Sequence, residues 1–172
     1  MTTSALVVTP GAAAANSYCD LPTADQYHLD RPAHDTVWVD AVYPGKIQAI
    51  LWATKLLDRL VPWTGQPVNY TQALLWPRFG MYYRNGDYIP SDVIPVDLQH
   101  ATAEFARQLL AEDLAETGEA ARLGLSSVSL GAGVSLTFKG TASARVIPDI
   151  VYSLLPGRWL AHSSSVVELL RG

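Results

Sequence analysis

Two long segments of the chain carry apolar residues at helical spacing. In residues 46–60 the positions on one stripe are Ile47, Ile50, Leu51, Thr54 and Leu57. Trp52 and Leu56 form a second apolar edge, so we expect this helix to have neighbours on two sides. In residues 95–116 the inward positions are Leu98, Ala101, Phe105, Leu109, Leu110 and Leu114. The spacing therefore predicts two long amphipathic helices.

Three shorter helical segments are predicted from capping residues and prolines. Asp20 is a good N-cap, and the helix that follows it is expected to run to about Arg31. A helical turn is predicted over residues 70–75, and Pro77 is expected to end it because proline removes a backbone donor. A last short helix is predicted over residues 148–155.

The apolar periodicity changes to two after the second long helix. The alternating apolar positions are Val128, Leu130, Val134, Leu136 and Phe138. Serine and threonine occupy most positions between them, and Gly131-Ala132-Gly133 links the two halves. This pattern predicts a β-hairpin over about residues 125–139. Because a lone hairpin is marginally stable in water, we expect it to pack on the helices or to gain strands from neighbouring copies or from the N-terminal arm.

Together these elements predict a mainly α fold. We expect a small helical bundle with an extended ordered loop, the β-hairpin, and extended N- and C-terminal arms. The predicted organisation is an N-terminal arm over residues 1–15, a helical domain over residues 16–160 and a C-terminal tail over residues 161–172. A chain of 172 residues can bury roughly 70% of its unfolded surface, so it needs no metal or disulfide to fold.

The loop over residues 72–95 is rich in aromatic residues, proline and glycine. Its Asn85-Gly86 pair predicts a tight turn, because both residues tolerate positive φ. We expect so long and rigid a loop to be ordered. Two interpretations are open: the rings cover the chain's own helices, or they form contacts with other subunits. The candidate interface residues are Trp76, Arg78, Phe79, Tyr82, Tyr83 and Tyr88.

Composition and charge argue against several classes of protein. The net charge is −4, whereas tight, sequence-independent nucleic-acid binding needs a dense Lys/Arg surface. The single Cys19 excludes an internal disulfide and a cysteine-rich zinc site. Because the chain shows neither a secretory signal nor an apolar run of the ~20 residues that span a membrane, we expect a soluble protein made in the cytoplasm. Charged residues make up 16% of the chain against a typical ~25%, which indicates that other subunits cover part of the surface.

The sequence contains no convincing catalytic, cofactor or metal site. Asp87, Asp92 and Asp97 lie five residues apart, but turn and helix-start roles explain them as well as a divalent metal does. Gly131-Ala132-Gly133 lacks the Lys-Ser/Thr pair that grips phosphate, so it is predicted to be a turn. The serine clusters lack a nucleophile motif. We therefore expect a protein that is not an enzyme and that binds no cofactor.

Single-stranded nucleic-acid binding is the remaining chemical candidate in the loop. Aromatic side chains can stack on bases while arginines hold phosphates. The residues that could do so are Trp76, Phe79, Tyr82, Tyr83 and Tyr88, with Arg78 and Arg84. The cations are few, and Asp87 and Asp92 lie in the same loop, which counts against this candidate.

A series of short motifs resembles a phage protein family. The motifs are Asn16-Ser17-Tyr18, Ala24 with Tyr27, the QALLWPRFG run at residues 72–80, Asn85-Gly86, Ile89-Pro90, Ile94-Pro95 and Ala101-Thr102-Ala103-Glu104. The family carries the label of DnaT-like single-stranded-DNA-binding proteins, and its members look like the head–tail adaptor, or head-completion, proteins of long-tailed phages. Its W-P-R signature corresponds here to Trp76, Pro77 and Arg78. The resemblance spans roughly residues 6–155, and this chain departs from it in longer, more serine-rich hairpin and C-terminal segments.

This resemblance implies a structural subunit of the virion, located in the head–tail neck and assembled in the host cytoplasm. It implies a homo-oligomeric ring, expected to be a dodecamer, that binds the portal protein and presents a platform for a stopper or tail-terminator protein. Double-stranded DNA would pass through the ring without sequence-specific binding. The label leaves DnaT-like single-stranded-DNA binding as the alternative. We further hypothesise that the tail from Ser163 to Gly172 docks into the portal through Val166, Leu169 and Leu170, because an apolar tip after a serine run can enter a crevice.

Overall fold

The protein is described by a computed structural model that covers residues 5–31, 36–111, 127–130, 134–137 and 146–161. Within these residues the fold is mainly α, as predicted. The helices are α1 (Leu21–Leu29), α2 (Thr36–Asp40), α3 (Tyr43–Leu60), α4 (Val96–Ala111) and α5 (Asp149–Leu154). A single turn of 3-10 helix, Gly157–Trp159, follows α5.

Helix α4 lies at the centre of the described residues and packs against the other four helices. Its buried positions include Leu98, Ala101, Phe105 and the charged Glu104. The main partner of α4 is α3, which buries Ile50, Ala53 and Leu57. The two long amphipathic helices predicted from the sequence therefore form the core of the domain.

Local sequence determines where α1 and α3 begin. The Asp20 carboxylate accepts a hydrogen bond from the Thr23 backbone N–H (2.8 Å), as expected of an N-cap. Helix α3 begins at Tyr43, three residues before the predicted start. Pro44 in its first turn fixes a helical φ at a position where the missing N–H has no helical partner in any case.

The structure contains two short antiparallel pairs of strands in the described residues. Strand β1 (Gln66–Pro67) pairs with β2 (Arg78–Phe79). Strand β3 (Ser127–Leu130) pairs with β4 (Val134–Thr137), with Val128 opposite Leu136 and Leu130 opposite Val134. This confirms the hairpin pairing expected from the alternation. Phe138 and the Gly131-Ala132-Gly133 link lie outside the described residues.

The helical turn predicted over residues 70–75 is wrong, because this segment forms turns and bends. Side chains bind the backbone groups that a helix would have used. The Asn69 carboxamide oxygen accepts from the Thr71 N–H (2.9 Å), and the Gln72 carboxamide nitrogen donates to the Leu74 carbonyl (2.6 Å). Asp58 accepts from the Leu75 N–H at 3.0 and 3.2 Å. Pro77 therefore follows a side-chain-bonded loop and ends no helix.

Residues 5–15, at the N-terminal end, lie against the domain. The Asn16 carboxamide oxygen accepts from the Val7 N–H (2.7 Å), and the Val7 carbonyl accepts from the Asn16 N–H (2.9 Å). Ala12 accepts from the Ala73 N–H (3.2 Å). The bond between Ala73 and Ala12 connects the N-terminal segment to the loop at residues 69–77.

No helix among the described residues combines the length and apolarity needed to cross a lipid bilayer.

Candidate interface in the tryptophan–tyrosine loop

Trp76 of the W-P-R element lies inside the protein. Its ring centroid is 5.7 Å from that of Trp63, edge to face, and 4.9 Å from that of Trp159. The Trp159 indole N–H donates to the Tyr82 carbonyl (2.8 Å), so the same cluster holds the following part of the loop. For Trp76 the structure therefore agrees with the first interpretation, in which the ring covers the chain's own elements.

Arg78 is also buried, with only 6% of its surface exposed. Its Nε donates to the Thr64 carbonyl (2.6 Å), its Nη1 to the Leu75 carbonyl (3.0 Å) and its Nη2 to the Gly65 carbonyl (2.9 Å). Burial lowers the pKa of the guanidinium, although Tyr18 and Asp58 oppose that effect. Arg78 thus binds two backbone segments, residues 64–65 and residue 75, and is not presented to a phosphate or to another subunit.

Behind the loop, Tyr18 and Asp58 form a buried polar pair. The Tyr18 hydroxyl donates to the Asp58 carboxylate and accepts from the Trp76 backbone N–H (3.3 Å). Burial raises the pKa of Asp58, despite the hydrogen bonds from Tyr18 and Leu75 and the charge of Arg78. The pKa of Tyr18 is raised well above 10.0 by burial and by Asp58. Through the bond from the Trp76 N–H to the Tyr18 hydroxyl, this pair holds the first residue of the W-P-R element in place.

The predicted turn at Asn85-Gly86 is present and presents two tyrosines at the surface. Gly86 has a φ of 96°, and its N–H donates to the Tyr83 carbonyl (3.0 Å). Tyr82 and Tyr88 pair across the turn, with ring centroids 5.7 Å apart in an edge-to-face arrangement. They are 45% and 48% exposed. Tyr82 and Tyr88 are therefore the two exposed aromatic side chains of this turn.

Two other aromatic residues of the loop differ in exposure. Phe79, on β2, is about half exposed. Tyr83 is half-buried and packs against the core cluster. Of the predicted interface residues in the described part of the chain, Phe79, Tyr82 and Tyr88 are therefore exposed, whereas Trp76 and Arg78 are placed in the interior.

Arg84 connects the turn to two helices. Its Nη2 donates to the Ser153 and Leu154 carbonyls at the end of α5 (3.1 and 2.9 Å). Its Nε lies 3.6 Å from the Asp97 carboxylate in the first turn of α4. A cation near the last carbonyls of a helix is favourably placed. The guanidinium that could have held a phosphate is thus engaged in positioning the turn.

The three regularly spaced carboxylates do not meet at one point. Asp87 accepts from the Asn85 carboxamide (2.6 Å), and Asp97 pairs with Arg84. Asp92 lines a cavity of about 260 Å³ together with Asp20 and Tyr18. Among the residues that the structure describes, no group of three His, Cys, Asp or Glu side chains could hold a metal ion.

Sequence reasoning identified the loop but missed the residues that hold it in place. Tyr18, Asp58 and Trp159 lie 18 or more residues from the W-P-R element, on separate segments. Their roles depend on tertiary contacts that no local pattern encodes. The Asn16-Ser17-Tyr18 motif was a signal for Tyr18, but not for its partner. The predicted tail residues Val166, Leu169 and Leu170 lie outside the described residues.

Comparison with known proteins places the chain in one family. No curated protein and no solved structure gives a significant match. A family model described as "Putative DnaT-like ssDNA binding protein" matches residues 4–172. Because that match covers almost the entire sequence, the chain belongs to the DnaT-like ssDNA-binding protein family.

Proposed function

We propose that the protein is a head-to-tail adaptor of a tailed phage. In this proposal it is a structural, non-enzymatic subunit that forms a homo-oligomeric ring, a dodecamer, on the portal protein. A stopper or tail-terminator protein binds the other side of the ring. Double-stranded DNA passes through the channel during packaging and ejection without sequence-specific contacts. The proposal is based first on the resemblance carried by the motif series that includes Trp76-Pro77-Arg78 and Asn85-Gly86.

The observation that carries the proposal is the rigid, exposed Tyr82–Tyr88 pair. Tyrosine is enriched at protein interfaces because a large ring is buried at low conformational cost. Arg84 and Trp159 hold the turn in place, so binding requires little further loss of conformational entropy from the turn. Preorganised rings at the tip of a loop fit a contact between subunits or with a stopper protein.

Charge supports the same proposal. The chain is mildly acidic, at −4, and cations on a channel wall would retain the genome and slow its passage. The burial of Arg78 removes one of the two arginines that the loop could have offered to phosphates. A small surface charge also suits a subunit that is flanked by copies of itself.

The mass of the purified full-length protein, measured by light scattering alone and after addition of its portal protein, tests this function. A ring-sized species, formed alone or on the portal, is expected. A protein that stays monomeric and separates from the portal at all concentrations would contradict the adaptor function. The same preparation serves for the test of the rival function.

Single-stranded-DNA binding is the second candidate, and the description of the family favours it directly. Phe79, Tyr82 and Tyr88 remain exposed and could stack on bases. If this function is correct, labelled oligonucleotide will shift at low salt and the shift will weaken steeply as salt rises. Absence of a shift at low salt, with a ring-sized mass in the first test, would favour the adaptor.

A further inference from the structure

Helix α3 has an apolar edge that is partly open. The edge is open at its two ends, where Trp52 is 45% exposed and Leu60 38% exposed, while Leu56 between them is buried and belongs to the core. These three residues are four positions apart, so they form one row along the helix. The sequence predicts neighbours on two sides of α3, and α4 supplies the first. The row of Trp52, Leu56 and Leu60 lies on the second side of the helix.

Two cations border this row. Lys55 and Arg59 are both exposed, and the Lys55 Nζ lies 5.9 Å from the centre of the Trp52 ring. Residues 52, 55, 56, 59 and 60, which we call the α3 edge, thus combine an apolar row with a positive border. A segment that covers this edge well would be apolar and would carry an acidic residue.

The chain leaves the described residues beside the α3 edge. The Ala161 N–H donates to the Pro62 carbonyl (2.6 Å), and Leu160 pairs with Trp63. Pro62 is two residues beyond the end of α3. Ala161, the last described residue, therefore lies beside Pro62, two residues along the chain from Leu60 at the near end of the row.

The composition of residues 162–172 matches what the α3 edge requires. After His162 and three serines the sequence continues Val166-Val167-Glu168-Leu169-Leu170. One acid is thus flanked by two apolar pairs. The row from Leu60 to Trp52 is about 12 Å long at the helical rise per residue. Five extended residues span roughly 16 Å, so the apolar part of the tail can reach the whole row.

We propose that residues 162–172 cover the α3 edge of their own chain. The apolar pairs of the tail contact Trp52 and Leu60, and Glu168 lies beside Lys55 and Arg59. This inference does not depend on the adaptor function. It differs from the hypothesis that the tail docks into the portal, and one experiment separates the two.

The experiment uses paired cysteines in the full-length protein. Lys55→Cys with Glu168→Cys is treated with a short bismaleimide at low protein concentration. Asp40→Cys with Glu168→Cys is the matched control, since Asp40 is exposed at the end of α2, just before the start of the 18-residue helix α3, whereas Ala161 lies beyond the end of α3. Cys19 is fully buried and burial raises its pKa to about 12, so it does not compete.

An intrachain cross-link between positions 55 and 168, formed several-fold faster than in the control pair, is the expected result. Equal rates in the two pairs would show a tail with no preferred site and would overturn the proposal. A product that joins two chains would overturn it in favour of a tail exchanged between copies. Cross-linking that appears only after portal is added would overturn it in favour of portal docking.

Discussion

At the scale of single residues, Arg78 is a buried cation whose three donor nitrogens point at backbone carbonyls. Its side chain connects the loop before β1 with the loop before β2. The Thr64 and Gly65 carbonyls of the first loop and the Leu75 carbonyl of the second all accept hydrogen bonds from it. A guanidinium can satisfy three acceptors in a fixed geometry, whereas an ammonium group is a compact charge with one nitrogen. The W-P-R element is therefore first a structural element.

Arg78→Lys is expected to lower the free energy of unfolding by about 2–4 kcal/mol, since buried carbonyls lose charged partners. Arg158→Lys is the control, because Arg158 is exposed and its side chain has no comparable role in the described structure; a change below about 0.5 kcal/mol is expected there. Urea unfolding at neutral pH measures both. Equal effects in the two variants would contradict the structural role of Arg78.

Gly65 and Gly80 have similar backbone angles but different surroundings. Their φ values are +68° and +76°, in the region that favours glycine. A Cβ on Gly65 would collide with the Phe79 carbonyl and lie 2.9 Å from the Met81 sulfur, whereas a Cβ on Gly80 meets nothing within 4 Å. The two sites therefore separate backbone strain from steric collision.

Gly80→Ala is expected to cost about 1–2 kcal/mol of stability, from the unfavourable φ alone. Gly65→Ala is expected to cost more than about 3 kcal/mol, because it adds a clash with backbone to the same strain. Thermal unfolding of the two variants side by side measures the difference. If Gly65→Ala is no worse than Gly80→Ala, the close approach of β2 to Gly65 is wrong.

At the scale of elements, α1 and α4 are joined around the buried Glu104. Its carboxylate accepts from Arg31, two residues after the end of α1, and from Arg107 (2.9 Å) and Gln108 (3.1 Å) on α4. Burial alone would raise the pKa of Glu104, but the hydrogen bonds and charges of these partners outweigh it, so the pKa is lowered. His28, on α1, has its pKa lowered chiefly by burial, and its ring bonds to the Ala103 carbonyl (3.1 Å).

Both shifts make this interface less stable in acid. A group whose folded pKa lies below its unfolded pKa contributes stability that is lost as the pH falls below the unfolded value. For His28 that loss begins near the ordinary pKa of 6.5, and for Glu104 near 4.5. Asp58, whose pKa is raised, has the opposite sign, so a comparison of variants is needed to isolate Glu104.

Glu104→Gln is expected to cost about 3–5 kcal/mol at pH 7, because it leaves Arg31 and Arg107 without their buried partner. Below about pH 4.5 the difference from the unmodified protein should shrink, since Glu104 of the unfolded chain gains a proton there and the unmodified protein loses stability. Urea unfolding from pH 7 down to acid measures the difference, and the Asp58 contribution cancels in it. A constant difference across this range would show that Glu104 does not titrate with folding.

The elements that the sequence predicts well are those with local causes. Helices α1 and α3 follow from the Asp20 cap and from the apolar stripe through Ile50 and Leu57, which only a helix brings to one side. The prediction of a helical turn over residues 70–75 is wrong because Asp58, distant along the chain, accepts a hydrogen bond from the Leu75 N–H. Likewise, the loop's composition marked Trp76 as special, but whether its ring points inward depends on Trp63 and Trp159. The direction of the Trp76 ring is set by these tertiary contacts, which the periodicity of the sequence does not encode.

At the scale of the whole molecule, the described surface has one preorganised aromatic contact, the Tyr82–Tyr88 pair. The pair lies at the tip of a turn that is tied to α4 and α5 through Arg84. Removing both rings should leave the core intact, because each is nearly half exposed. The effect of the change should therefore appear in assembly and not in folding.

Tyr82→Ser with Tyr88→Ser is expected to weaken ring formation or portal binding by at least about tenfold, since tyrosine is enriched among the interface residues whose truncation costs about 2 kcal/mol or more. Tyr70→Ser is the matched control, because Tyr70 is a fully exposed tyrosine in a neighbouring loop and should change neither property. Light scattering over a concentration series, with and without portal, measures the assembly. Loss of oligonucleotide binding with unchanged assembly would instead assign the pair to single-stranded DNA, and an unchanged result in both assays would exclude the pair as the functional surface.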